Sequence, residues 1–231
     1  MTPSPRRHLR DSVVLGGAVG LFGVTFGVLA TTSGLTVPQT CAMSLLVFTG
    51  ASQFAAVGVV AAGGAAASAV ATALLLGARN GAYALTVAHL LPRSVLGRLA
   101  GAQLIIDEST AMALAQADER FARQALWATG IAVYVFWNLG TVVGALAGDV
   151  IGDPTTIGLD AAFPAGFVTF VMPHVKQRPG LVAALLGGAV AVLAVPFTPA
   201  GAPVLLAGVG AVAGMVMVVR SGSVDPPGVS S

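Results

Sequence analysis

Leu96-Gly97-Arg98-Leu99-Ala100-Gly101-Ala102-Gln103-Leu104-Ile105-Ile106-Asp107-Glu108-Ser109-Thr110-Ala111-Met112-Ala113-Leu114-Ala115-Gln116-Ala117 is an apolar run with two adjacent carboxylates near its middle. Its length suits a membrane-spanning helix, which needs about 20 apolar residues. Each acid at the centre of such a helix costs roughly 2.5–3.5 kcal/mol on insertion scales. The Leu and Ile residues of the segment return only about 0.3–0.6 kcal/mol each. Alone, the helix would insert poorly, so a polar partner must face Asp107 and Glu108. An intramembrane acid that needs a partner marks a functional site.

The rest of the chain supports a membrane setting. Of its 231 residues, 56% are hydrophobic and only 9% are charged, and the mean hydropathy is +0.90. A soluble domain carries about 25% charged residues, so this chain could not coat a water-exposed surface. The expectation is an all-α integral membrane protein, a polytopic bundle of six to eight transmembrane segments. The net charge of +2 comes from a few Arg at segment edges and does not imply nucleic acid. Cys41 is the single cysteine, which excludes an intrachain disulfide, and no Cys/His spacing suggests a metal. No cofactor is implied. The Arg, Ala and Gly bias hints at a GC-rich bacterial genome.

Eight apolar segments can be drawn: 12–31, 40–62, 66–91, 96–117, 125–151, 161–175, 181–195 and 203–219. They place a cytoplasmic N-terminal tail at 1–11, one transmembrane domain at 12–220 and a disordered cytoplasmic C-terminal tail at 221–231. Arg6, Arg7 and Arg10 read as the basic flank of a first membrane helix, in preference to a signal peptide. The second segment is punctuated by Gly50, Ser52, Gln53 and Gly58, and the sixth by Pro164 and Pro173, so either could be re-entrant. Eight crossings, or six with those two re-entrant, both leave eight loop Lys/Arg inside and two outside, so charge fixes a cytoplasmic N-terminus without choosing between them.

A weak internal repeat links Gly23-x3-Gly27 with Gly140-x3-Gly144, and Phe48–Phe54 with Phe163–Phe170. In the six-crossing scheme its two halves would be inverted, as in many secondary transporters. Small residues four apart, such as Gly16/Gly20 and Gly210/Gly214, read as helix-packing faces.

Several polar groups could carry chemistry. Phe48-Thr49-Gly50-Ala51-Ser52-Gln53-Phe54 offers a glycine where a helix can break, freeing backbone groups beside Ser52 and Gln53. Arg79, Asn80 and Tyr83 lie deep in the third segment, and Arg79 is expected to pair with Asp107 or Glu108. On a continuous fourth helix Gln103, Asp107 and Thr110 would share a face, with Glu108 turned about 100° away. His89 and His174 remain unassigned, and Asn138, beside Trp137, is a further buried polar candidate.

These motifs together resemble the AzlC family: Phe48 to Phe54, then Leu76-Gly77-Ala78-Arg79-Asn80 with Tyr83, then Asp107-Glu108-Ser109. The likeness runs from about Gly16 to Val219. It departs at Arg79-Asn80, where the family often has Arg-His, and at Ala88-His89, where it often has Pro-His. The resemblance implies the large subunit of a bacterial branched-chain amino-acid exporter in the cytoplasmic membrane, working with a small AzlD-type membrane subunit.

The chemistry of such a solute can be matched to residues. Its carboxylate wants an Arg or a broken-helix N-terminus, here Arg79 or Gly50–Ser52. Its ammonium wants Asp107 or Glu108, and its side chain an apolar wall such as Phe48 and Phe54. With no nucleotide-binding loop, a proton gradient is the expected driver, coupled through a mid-membrane acid. Alternatives are a permease or channel for another small polar solute, an intramembrane serine protease built on Ser52 with a distant His89, and a scaffold subunit without a transport path.

Overall fold

The computed structural model describes residues 5–151, 168, 171–172 and 175–221. Among them every regular element is helical: α1 (Pro5–Thr32), α2 (Val37–Val47), α3 (Ala51–Ala61), α4 (Ala66–Val87), α5 (Val95–Gln103), α6 (Asp107–Leu114), α7 (Glu119–Ile151), α8 (Arg178–Ala194) and α9 (Ala202–Ser221). Among the described residues three stretches, Leu9–Thr32, Glu119–Val150 and Arg178–Phe197, are long and apolar enough to cross a membrane. The fold is that of an all-α membrane protein. Helix α1 starts at Pro5, ahead of the apolar segment, so the Arg-rich flank is continuous with it. The sixth apolar segment and the C-terminal tail beyond Ser221 lie outside the described residues, apart from isolated positions of the former.

Helices α1 and α7 form the scaffold. Gly16 lies against Ala132, Gly20 against Phe136, Gly23 against Trp137, and Gly27 against Thr141 and Gly144. A methyl group on any of these glycines would collide with the facing backbone, so the small residues let two main chains touch. Ser12 and Thr129 close the same seam with a buried 2.9 Å hydrogen bond. The partners advance together along both helices, which therefore run parallel. This corrects the inverted halves of the six-crossing scheme. With segment two re-entrant and segments three and four crossing, α1 and α7 would have to be antiparallel.

The parity is restored because segments two and four are both hairpins. Helix α2 starts beside the end of α1, where Thr36 caps it in a reciprocal bond with Gln39. It descends along α7, with Ser44 bonded to Thr141 and the Leu45 carbonyl accepting from the Tyr134 hydroxyl. The chain breaks at 48–50 and α3 climbs back, so that Met43 packs in one cluster with Ala56, Val59 and Ala69. Helix α4 then crosses the bundle from end to end.

At the opposite end Ser94 caps α5. Gly101 lies against Trp127, and Leu104 against Gly130, so α5 rises along α7. The chain breaks at 104–106, beside Val133, and α6 descends again, packing Ala113 with Ala122 and Leu126. Segment four is thus no continuous helix. Asp107 and Glu108 begin a short one, and Gln103 does not share a helical face with Asp107 and Thr110.

Helices α8 and α9 pair antiparallel, Pro179 against Gly214, Ala183 against Gly210 and Gly187 against Ala207. The pair rests on the rest of the bundle at Gly64–Ala200, Gly201–Ser68 and Gly208–Leu75, which sets α9 parallel to α4.

Candidate functional site

Each hairpin tip is held by one side chain three residues after the break. At the first, Gly50 takes φ +55°, a conformation that L side chains rarely adopt. Its N–H donates to Gln53 Oε1 at 3.2 Å, and Gln53 Nε2 donates to the Met43 carbonyl at 3.1 Å. Gln53 is 0% exposed. It ties α3 to α2 and does not face a solute, which removes it from the expected contact residues. At the second tip the Ile106 N–H donates to Ser109 Oγ at 3.1 Å, and that hydroxyl donates to the Leu104 carbonyl at 2.6 Å.

The tips meet at the mid-height of α7. Gln103 Nε2 donates to the Leu45 carbonyl at 2.9 Å, joining one hairpin to the other. Helix α4 passes beside both. Arg79 Nη2 lies 2.8 Å from Asp107 Oδ2 on the second tip and 3.5 Å from the Thr49 carbonyl on the first. Asn80 Nδ2 donates to the Ile105 carbonyl at 3.2 Å. Tyr83, one turn beyond Arg79, has its hydroxyl close to Asp107. Arg79 is therefore a clamp across three elements, and its partner is Asp107. Glu108 has no basic group within ion-pairing distance among the described residues.

The ion pair is not sealed. The Arg79 side chain is 39% exposed and that of Asp107 35%. Charge at the depth of a bilayer core cannot face lipid without a cost of several kcal/mol, so this opening must meet water, protein or a polar solute. Around it lie buried polar atoms with no hydrogen-bond partner: Thr49 Oγ1, Ser52 Oγ, Arg79 Nε, Asn80 Oδ1 and Trp137 Nε1. Such atoms are rare in folded proteins and ask for an explanation at each site.

A small cavity of about 40 Å³ brings together Phe48, Gly50, Phe54, Arg79, Asn80, Asp107 and Glu108, with Trp137 and Val133 from α7. Phe54 meets Phe26 and Trp137 edge-on, at 5.7 and 6.1 Å between ring centroids. Trp137 is only 3% exposed and gives the site both an apolar wall and an unused N–H. Its role was not read from sequence, because a Trp in an apolar helix carries no positional signal. Ser52 turns towards Gly77 of α4 instead of this cavity. Its hydroxyl has no base beside it, and His89 lies in a turn at the far end of α4, which is not a nucleophile–base pair. His174 is outside the described residues.

The α3 N-terminus completes the arrangement. The first N–H groups of a helix lack intrahelical acceptors and favour an anion. Here Gly50 and Ala51, at the start of α3, line the same cavity as an arginine, two carboxylates and aromatic walls. In so apolar a chain, broken helices meeting at a charged mid-height junction define a helical membrane protein of transport type.

The chain belongs to the AzlC family, whose model, described as AzlC protein, matches residues 14–151. That span holds α1 from Val14 onward, both hairpins, α4 and α7, and thus the whole site. The chain is also similar to two proteins of Helicobacter pylori, each described as an uncharacterized membrane protein. The one from strain J99 is 27% identical over 175 residues, covering 75% of this chain and 76% of the relative. The one from strain 26695 is 27% identical over 184 residues, covering 79% of each. No solved structure matches the chain.

Proposed function

We propose that this chain exports branched-chain amino acids, Leu, Ile and Val with Met as a further candidate, as the large subunit of a proton-driven, two-component exporter. The observation that carries the reading is the junction itself. Arg79 and the α3 N-terminus offer a receptor for a carboxylate, Asp107 and Glu108 one for an ammonium, and Phe48, Phe54 and Trp137 an apolar surround. These three demands together describe a zwitterionic amino acid with an apolar side chain. Asp107 is already neutralised by Arg79, so Glu108, without a cationic partner, is the group that carries the coupling proton.

The second component is a small AzlD-type membrane subunit, a partner that the family resemblance supplies. The proposed setting is the bacterial cytoplasmic membrane, with α1, α4, α7, α8 and α9 among the segments that cross it and the hairpins dipping in from opposite sides. Orientation follows from charge. In this topology the N-terminal ends of α1, α5, α7 and α8 and the C-terminal end of α9 share one face of the bundle. Every Lys and Arg except Arg79 falls at that face. Treating segments two and four as hairpins thus removes both exceptions left by the other schemes. The positive-inside rule then puts the N-terminus in the cytoplasm.

The test is an accumulation assay. Cells fed Leu-, Ile-, Val- or Met-containing peptides should hold less of the free amino acid when this chain and its small partner are expressed. Equal intracellular levels with and without the pair would refute the reading.

A further inference from the structure

A second, far larger cavity adjoins the junction. It is a groove of about 810 Å³, within the range of small-molecule sites, and nothing among the described residues fills it. It runs from the end of the bundle that carries no Lys or Arg, at Leu35, Val60 and Ala66, down between the first hairpin and α4 to Thr49, Asn80 and Gln103 at the tips. Its walls are apolar, including Met43, Val57, Ala73 and Gly77. Its floor is polar: Thr49 Oγ1 and Asn80 Oδ1 are buried there without partners. Phe48, Thr49 and Asn80 line both the groove and the small charged cavity, so they form the partition between the two.

The two compartments differ in a way that matches the two halves of an apolar amino acid. The charged one, at about 40 Å³, holds about one water and cannot take a zwitterion until the tips part. The apolar one is already open, reaching the face that carries no Lys or Arg at Leu35, Val60 and Ala66, with Leu46, Val70 and Leu74 exposed along its side. At the other face the second hairpin closes the way with the Val87, Leu90, Ala113 and Leu126 cluster.

We infer that the groove is the outward half of the transport path, and that its Met43–Val57–Ala73–Gly77 walls hold the aliphatic side chain while the charged head sits at the hairpin tips. This rests on the exporter reading and adds to it the residues that discriminate between side chains and the face through which the product leaves. Gly77 is a natural place for discrimination. Gly77 lines the groove, and a methyl group there would meet only Ser52 Oγ of α3 at 3.5 Å, an ordinary contact, so the wall has room for a side chain at this position.

The experiment has two arms. In a Cys41→Ser chain co-expressed with its small partner, single cysteines at Val60 and Ala73 are exposed to a membrane-impermeant maleimide added outside the cell, with Ala113→Cys as the control beyond the tips. Val60→Cys and Ala73→Cys should be labelled, Ala113→Cys should not, and leucine should slow labelling at Ala73→Cys where glutamate and lysine do not. In the second arm Gly77→Val and Ala73→Phe, matched for membrane abundance, should cut leucine export about tenfold relative to alanine export, the scale of discrimination that a methylene or more provides in an apolar pocket.

Leucine export by the parent chain with no labelling from outside, as a lipid- or partner-filled groove would give, overturns the inference. So does an unchanged leucine-to-alanine ratio in both variants. If instead labelling occurs and another solute protects, while the parent exports no branched-chain amino acid, the groove stands as a path and the substrate reading falls.

Discussion

The two hairpins solve the same geometric problem with different chemistry. Each turns at mid-height over three non-helical residues, and each is closed by a side chain that accepts from the backbone N–H before the returning helix. The first tip is uncharged, bends at a glycine in a rare conformation and uses a long amide to reach back to α2. The second has no glycine, bends at Leu104-Ile105-Ile106 and carries Asp107 and Glu108 in the first turn of α6. An acid in that position is favoured by the unpaired N–H groups of the helix start. What looks like a costly pair of charges inside a spanning helix is thus a pair at a helix end, one member matched to Arg79. The first hairpin supplies walls and an anion-seeking helix start, and the second supplies the charge.

Breaking that division should have its largest effect at the charged tip. Asp107→Asn removes a charge-assisted contact worth about 2–3 kcal/mol and leaves Arg79 facing only carbonyls. Initial rates of valine export should fall by roughly a hundredfold, scored against immunoblotted membrane abundance. Glu108→Gln should separate from it. Exchange of labelled valine across the membrane should continue, while stimulation by an imposed proton gradient disappears. Equal behaviour of the two variants would end the division of labour between the acids.

The next largest effects concern the stitches. Gln53→Leu strands the Gly50 N–H and the Met43 carbonyl in a dry interior, a loss of about 3 kcal/mol, read as a lower midpoint in heat-induced aggregation of the detergent-solubilised protein. Ser109→Ala strands the Ile106 N–H and the Leu104 carbonyl, but at a shorter span, and should cost about 2 kcal/mol in the same assay. The smallest shift is expected for Gly50→Ala. A Cβ there meets only the Trp137 ring at 3.7 Å, so the penalty is the backbone strain of about 1 kcal/mol. A larger loss for Gly50→Ala than for Gln53→Leu would mean that the first tip is held by its turn and not by its stitch.

The same contrast explains what could be read in advance. The break in segment two was legible because Gly50 sits among polar residues in an apolar run. The break in segment four was not, since Leu104-Ile105-Ile106 has the composition of a helix interior. Only the tertiary bonds of Asn80 and Gln103 to the hairpin tips reveal why its backbone leaves the helix. Arg79 and the acids stood out as charges with nowhere to go, and the glycine spacings announced close packing. That Gly23 and Gly140 belong to helices packed on each other in parallel depends on counting hairpins, which no local pattern does. Gln53 looked like a binding residue because its burial, and the two bonds that consume it, are tertiary facts. Trp137 and Ser109 were missed for the converse reason.

The central claim is that solute passes where the two tips meet, so that they must separate in each cycle. A reversible cross-link tests it most directly. In a Cys41→Ser chain with Leu45→Cys and Gln103→Cys, at the two positions joined by the 2.9 Å bond from the Gln103 amide to the Leu45 main-chain carbonyl, a short thiol-specific, reductant-cleavable cross-linker should stop valine export and a reductant should restore it. Undiminished export from fully cross-linked protein would contradict the account.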